Sequence, residues 1–255
     1  MYPILIQFGQ FELRSYGVIV ALSILVALWL SKKEAIRKEL DPTLFEDFSV
    51  YALLGGIVGA RIYFIAFSDP MHYLRNPWEI LAVWHGGIGI IGSLAGGFLA
   101  AVWFCRRNRI PLLKFVDVIA PAVALGQTLG QFACLANGDS YGKTTDLPWA
   151  ITYTDPRSFA PLNVPLHPIE FYEMGTYFLV FLVVWITRKR FRSDGLSFFV
   201  YLGAYGVARF LMEFFRGHPA MFADSIPAAQ IFGVALILAS ASGIFWLRSS
   251  RNTGR

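Results

Sequence analysis

Seven stretches of this 255-residue chain are long and apolar enough to read as membrane helices: residues 16–31, 47–67, 87–104, 115–136, 168–187, 196–215 and 228–247. A spanning helix needs about 20 mainly apolar residues. The first stretch is short for this, and its helix is expected to begin earlier, near Phe11. The stretches carry glycine and β-branched residues without alternating at period two, which favours helices over barrel strands. Composition agrees: 56% of residues are hydrophobic, 15% are charged, and mean hydropathy is +0.53. A soluble domain is about 25% charged. The sequence therefore predicts an all-α, polytopic membrane protein of about seven transmembrane helices, one integral membrane domain over residues 1–255. Disorder, a collagen-like repeat and a disulfide scaffold are excluded.

The basic residues predict the orientation. Lys32, Lys33, Arg37 and Lys38 follow the first stretch; Arg106, Arg107, Arg109 and Lys114 follow the third. Arg188, Lys189, Arg190 and Arg192 follow the fifth; Arg248, Arg251 and Arg255 follow the seventh. These fifteen fall on one side, against Arg14, Arg75, Lys143, Arg157 and Arg216 on the other, with Arg61 and Arg209 inside stretches. The positive-inside rule predicts a cytoplasmic C-terminus and an N-terminus outside. The net charge of +5 then reports topology, and no nucleic acid partner is expected. With no basic n-region and no small-residue cleavage site, no removable signal is expected. The longest connection without predicted structure, residues 137–167, lies on the outer side; loops of that length are functional or disordered. Cys105 and Cys134 sit near opposite ends of their stretches, too far apart for a disulfide, and each reads as a small buried apolar residue.

An ionised side chain at mid-bilayer costs roughly 2.5–3.5 kcal/mol, so such residues face a cavity or a partner. Arg61, Asp117, Arg209 and Glu213 are the charged candidates, and Gln127 and Gln131 the neutral ones. Tyr205, Arg209, Glu213 and Arg216 are spaced i, i+4, i+8, i+11, which predicts one helical face. Two guanidinium groups on a face suit an anionic headgroup, because arginine binds phosphate bidentately and keeps its charge when dehydrated. The bland reading of the same residues is an Arg209–Glu213 pair that joins helices. Gln127 and Gln131 lead into Asn137-Gly138-Asp139, a polar turn that fits either a cavity rim or an ordinary Asn-Gly turn.

Glycine is concentrated at Gly55, Gly56 and Gly59 in the second stretch and at Gly86, Gly87, Gly89, Gly92, Gly96 and Gly97 around the third. Close helix packing is the first reading, and a groove for a lipid tail the functional alternative. All four histidines fall on the predicted outer side. None forms a His-x-x-x-His pair, so no metal site is expected, and Pro168 reads as the first residue of a helix.

At these residues the chain resembles the bacterial prolipoprotein diacylglyceryl transferases. The likeness runs nearly end to end. It includes Ser15-Tyr16-Gly17, Gly59-Ala60-Arg61, Trp84 with Gly86-Gly87, Asp117 with Pro121, and Gly126-Gln127. It continues through Gly130, Asn137-Gly138, Tyr141-Gly142-Lys143, Asp146-Leu147-Pro148-Trp149, His167-Pro168 and Tyr172-Glu173, to Tyr205, Arg209, Glu213 and Arg216. The resemblance implies transfer of the diacylglyceryl group of phosphatidylglycerol to the lipobox cysteine of a preprolipoprotein as a thioether, with glycerol phosphate leaving. It implies no metal or soluble cofactor, and a bacterial cytoplasmic (inner) membrane location.

The chain departs from the family's pattern at three points. Gln131 stands where the signature has arginine, and Asp139 where it has glutamate. The family's histidine-glycine-glycine aligns with Ile91-Gly92-Ser93, while a His-Gly-Gly lies six residues earlier at His85. Phosphate binding is then expected to rest on Arg209 with Arg61 or Arg216. Gln131, Asn137, Gly142, Tyr16 and Tyr205 are expected to orient the headgroup, and Asp139, Glu213 and His85 are the candidate proton acceptors. Two other readings compete: a non-catalytic or altered-chemistry lipid-binding paralogue, and a transporter whose spans line an ion path. Against the transporter, the sequence has no inverted repeat and no pair of broken helices.

Overall fold

Long apolar runs become helices because a helix satisfies its own backbone hydrogen bonds wherever water is excluded. The computed structural model describes residues 4–8, 11–68, 70–82, 86–87, 89–190, 193–217, 219, 221–222 and 226–252. Its long helices are α1 (Ser15–Arg37), α2 (Thr43–Phe67), α4 (Ile90–Arg107), α5 (Leu112–Asn137), α6 (Ile169–Thr187), α7 (Leu196–Met212) and α8 (Ala228–Asn252), with a short α3 (Pro70–Arg75). The strands are brief antiparallel pairs: β1 (Ile4–Phe8) with β2 (Phe11–Arg14), β3 (Ile151–Thr152) with β4 (Pro165–Leu166), and β5 (Met221–Phe222) with β6 (Ile226–Pro227). The protein is all-α and polytopic.

Among the described residues, six helices are long and apolar enough to cross a membrane: Ser15–Arg37, Thr43–Phe67, Leu112–Asn137, Ile169–Thr187, Leu196–Phe215 and Ala228–Ser249. The third expected stretch is helical as α4 but is not among the six; it has 18 residues and ends on Arg106 and Arg107. The first helix does not start near Phe11. Phe11–Arg14 is a strand of the β1–β2 hairpin, and α1 begins at Ser15.

The chain divides into two compact units, residues 32–115 and residues 1–31 with 116–255. In the first, α2 and α4 meet through glycines. A Cβ on Gly55 would fall 2.8 Å from the Gly96 carbonyl oxygen, and on Gly59, Gly92 or Gly96 it would fall closer still to the facing backbone. Each side thus presents a small-x-x-x-small pattern, Gly55/Gly59 against Gly92/Gly96, and the glycines have the packing role. At the other end of this pair Phe45 stacks on Phe115 at 4.9 Å, and Phe48 meets the same ring edge-on at 4.8 Å. Gly96→Ala is expected to lower the thermal midpoint of the purified protein more than Gly97→Ala, since a Cβ at Gly97 meets nothing within 4 Å. Overpacking of this kind costs about 1–3 kcal/mol. Equal effects of the two substitutions would refute the glycine contact.

In the second unit α5, α6 and α7 pack around Ala120, Ala124, Tyr177, Val180, Val184, Tyr201 and Ala208. Helices α7 and α8 approach at Gly206 and Gly233, where a Cβ on either would lie 2.7 Å from the other's carbonyl oxygen. Asp117 finds a structural task here. The N-cap of α7 is Gly195, which has no side chain, and the Asp117 carboxylate on α5 accepts from the Phe198 N–H at 2.9 Å. One of the helix's orphan donors is satisfied from a neighbouring helix.

The connection expected to lack structure is folded. Tyr153, Ala160 and Leu166 form its own small core, flanked by Tyr141, Ile151 and Val164. Besides β3 and β4, its backbone pairs at Thr144 with Leu166, at Tyr153 with Leu162, and at Gly142 with Arg216 beyond α7.

Candidate active site

The densest charge in the second unit lies where the C-terminal end of α7 meets the first turns of α6. One Arg209 terminal nitrogen donates to Glu173 Oε1 at 3.0 Å and the other to Glu213 Oε2 at 3.1 Å. Arg216 donates to the same Glu173 oxygen at 2.8 Å, and its Nε lies 3.5 Å from Glu213 Oε2. Both carboxylates are buried, while Arg209 and Arg216 side chains keep 14% and 26% of their surface open. Two guanidiniums and two carboxylates thus form a closed ring of zero formal charge. Buried ions are tolerated when each is paired in this way.

The local backbone makes the ring possible. Arg209 and Glu213 are one helical turn apart, as the spacing predicts. Arg216 is not on the helix. Residues Glu213–Phe215 tighten into a 3-10 turn, and Arg216 leaves it in extended conformation (φ −67°, ψ 133°). Its side chain folds back over Glu213 while its backbone pairs with residue 142. The single helical face read from the spacing ends at Glu213.

Gly142 fits that backbone pairing. Lys143 N–H donates to Phe215 O at 2.9 Å, Gly217 N–H to Tyr141 O at 3.1 Å, and His167 N–H to Lys143 O at 2.9 Å. The chain at Gly142 runs between two neighbours, and a Cβ there would collide with the backbone of His167. The geometry gives Gly142 this close passage, and through it the setting of Arg216.

Tyr205 packs on Tyr177, with ring centroids 5.5 Å apart, and stacks on Tyr201 at 5.8 Å; both Tyr177 and Tyr205 lie in the field of Arg209. Tyr201 in turn donates to Gln127 Oε1 at 3.0 Å, so Gln127 is held inside the bundle. At the end of α5, Asn137 Nδ2 donates to Asp139 Oδ2 at 2.9 Å, and Gly138 ends the helix with φ +68°. A Cβ on Gly138 would also strike the Tyr153 ring at 2.9 Å. The Cys134 thiol and half-exposed Tyr16 at the start of α1 lie in the field of the Asp139 carboxylate. Gln131, one turn before Cys134, has a buried side-chain oxygen without a hydrogen-bond partner.

Three residues of this region were not among the expected site residues: Glu170, Glu173 and Tyr153. Glu170 and Glu173 are fully buried, one turn apart on α6. The Tyr153 hydroxyl donates to Glu170 Oε1 at 2.5 Å. Burial, then the hydrogen bond to Glu170, pushes the Tyr153 phenol above its ordinary range, so it stays a donor. The signal in the sequence was an unmatched charge: a face with two arginines and one glutamate lacks a carboxylate. Glu173 enters the sequence reading only as part of Tyr172-Glu173 in the family likeness, with no role attached to it.

Arg61 belongs to the other unit, residues 32–115. Its Nε donates to Ile80 O at 3.0 Å, one terminal nitrogen to Gly86 O at 2.8 Å and Gly87 O at 2.9 Å, and the other to Glu79 O. The Tyr73 ring lies 5.3 Å away. This buried guanidinium fastens the segment after α3 to α2, beside a cavity of about 130 Å³ lined also by Phe64 and Ala82. Its donors are engaged by backbone carbonyls, so the structure gives Arg61 a fastening task where a headgroup contact was expected. His85 lies outside the described residues.

The profile of the family described as prolipoprotein diacylglyceryl transferase matches residues 3–246. The chain is 34% identical over 253 residues to the phosphatidylglycerol–prolipoprotein diacylglyceryl transferase of Synechococcus elongatus, covering 96% of this chain and 87% of that one. It is 35% identical over 263 residues to the enzyme of the same name from Parasynechococcus marenigrum, covering 96% and 94%. It is 31% identical over 255 residues to that of Staphylococcus aureus, covering 98% and 90%. With a match of this extent, the chain belongs to the prolipoprotein diacylglyceryl transferase family.

Proposed function

We propose that the chain transfers the diacylglyceryl group of phosphatidylglycerol to the cysteine thiol of a prolipoprotein, and that the ring of Arg209, Arg216, Glu173 and Glu213 is the centre of its site. The ring carries the reading: it is a preformed pair of guanidiniums, partly open, beside polar groups from α1, α5 and α6. In the reaction a thiolate sulfur attacks the glycerol carbon that bears the phosphate ester. The carbon–oxygen bond breaks, its electron pair stays on the phosphate oxygen, and glycerol phosphate leaves. A free thiol has a pKa of about 8.5, so its proton must first be taken. A proton arriving on Glu213 leaves two guanidiniums facing one carboxylate, a net positive charge where the leaving phosphate gains negative charge. That is electrostatic stabilisation of the developing anion. Asp139, beside Cys134 and Tyr16, is the second acceptor in this unit. Asn137 orients Asp139, and Tyr205 supports Arg209.

The decisive experiment is mass spectrometry of a lipobox peptide incubated with the full chain and phosphatidylglycerol in vesicles. A mass gain of one diacylglyceryl group supports the reading. One observation favours the paralogue reading: Arg209 and Arg216 are already matched by carboxylates, and Gln131 adds no charge. Retention of phosphatidylglycerol without product would establish that alternative.

The protein is a multi-pass membrane protein, and its place in the cytoplasmic membrane with the N-terminus outside is part of the proposal. Fifteen of its 22 Lys and Arg residues support that orientation. Reporter fusions after Leu40, Arg109 and Arg192 are expected to read cytoplasmic and one after Thr145 external. A cytoplasmic reading at Thr145 would overturn the orientation.

A further inference from the structure

One stretch of the family likeness, Asp146-Leu147-Pro148-Trp149, has no part in the charged ring, yet it is tied to it. The Trp149 indole N–H donates to the Tyr172 hydroxyl at 2.7 Å, and Tyr172 is the residue before Glu173. His167 Nδ1 stands 3.4 Å from the same hydroxyl. The Phe215 ring meets the rings of Tyr172 and His167 edge-on, at 5.7 and 5.6 Å, and Phe215 is the residue before Arg216. This aromatic cluster is therefore joined, by chain and by contact, to two members of the charged ring.

The cluster keeps apolar surface open. Trp149 is 55% exposed, Phe215 38% and Leu147 37%. The polar edge of the indole is turned inward onto Tyr172, so what Trp149 presents outward is the apolar body of its ring. Lys143, Thr144 and Asp146 beside it are exposed. An aromatic centre with a polar rim is the make-up of a surface that binds polypeptide; a lipid-facing helix surface is apolar without such a rim. The proposed substrate supplies the matching chemistry, since a signal peptide carries an apolar stretch before its processing site. An extended peptide advances about 3.3–3.6 Å per residue, so with its cysteine at the ring a side chain two or three residues away stands roughly 7–11 Å off. The patch begins one residue from Glu173 and from Arg216. We infer that Trp149, with Phe215 and Leu147, forms a peptide-reading surface, which takes an apolar side chain of the prolipoprotein two or three residues before its cysteine. This rests on the proposed function and gives the protein substrate a place outside the charged ring.

The test uses the full-length protein in vesicles of phosphatidylglycerol and a neutral lipid, with two lipobox peptides that carry leucine or serine three residues before the cysteine. The ratio of their kcat/KM values includes their unequal partition into the vesicles, so it is compared between protein variants, where partition cancels. One apolar group changes discrimination about 10–200-fold in a closed pocket, and this surface is open. Trp149→Ala is expected to reduce the preference for leucine at least about fivefold, raising the KM of the leucine peptide and leaving the apparent KM for phosphatidylglycerol unchanged. Trp149→Phe keeps an aromatic ring without the bond to Tyr172 and is expected to retain most of the preference. An unchanged preference in folded Trp149→Ala overturns the inference. So does an equal loss in Trp149→Phe, since Trp149 then serves only to hold Tyr172, and so does a matching rise in the KM for phosphatidylglycerol, since the patch is then a lipid surface. Where Trp149→Ala does not fold, Leu147→Ser takes its place, with the same expected loss and the same refuting result. Should no peptide be converted, retention of both peptides by the protein-bearing vesicles is measured. Leucine-selective retention that disappears in Trp149→Ala supports the surface and assigns the failure to the proposed chemistry; retention indifferent to Trp149 overturns the surface as well.

Discussion

Arg209→Lys is expected to lower the rate of diacylglyceryl transfer by on the order of a hundredfold while the protein still folds, because removing one preorganised donor to a developing anion costs about 10²–10³ in kcat. The reason lies in shape. The guanidinium reaches Glu173 at 3.0 Å and Glu213 at 3.1 Å with its two terminal nitrogens at once. An ammonium keeps the charge but is a single point on a flexible stem. It can neutralise one carboxylate, or part of both, without presenting a planar fork to a phosphate. The measurement is turnover of a lipobox peptide alongside the thermal midpoint of the same preparation. Wild-type turnover in the lysine variant would remove Arg209 from the chemistry. Loss of folded protein would make the ring a joint between helices, the bland reading of the Arg209–Glu213 spacing.

The helices were legible in the sequence because an apolar run of about 20 residues has few other fates. What surrounds them was less so, for physical reasons visible at particular residues. The β1–β2 strands have five and four residues, too short for periodicity to separate from the start of an apolar helix. Residues 137–167 read as structureless because the contacts that order them are non-local. Tyr153 meets Ala160 and Leu166, and Gly142 pairs with Arg216. Spacing brought Arg209 and Glu213 together correctly, since both lie within one turn. It carried Arg216 along only on the assumption that the helix continued, and the 3-10 turn at Glu213–Phe215 ends it. The same residue reaches the site by another route. Glu173 is 36 positions before Arg209, so nothing in the local pattern of α7 names it, although the excess of arginine there calls for a carboxylate.

Glu173→Ala is expected to be the most destabilising single change in the site. The carboxylate is fully buried, and one of its oxygens serves both Arg209 and Arg216. Without it two guanidiniums share Glu213 alone, and a partly buried positive charge is left uncompensated. Breaking a buried pair from one side costs about 3–5 kcal/mol. For a chain of this size that lowers the thermal midpoint by on the order of 10 °C. Glu173→Gln retains the volume and a carbonyl acceptor, so its loss is expected to be about half as large. The network account makes a sharper demand on the double variant. Arg216→Met in the Glu173→Ala background removes the charge that was left unpaired, and it is expected to restore part of the lost stability. In the wild-type background the same Arg216→Met strips Glu173 and Glu213 of a partner and is expected to destabilise. A substitution that changes sign with its background is the mark of coupled charges. If Arg216→Met destabilises equally in both backgrounds, Arg216 and Glu173 act independently and the four side chains are not one electrostatic unit.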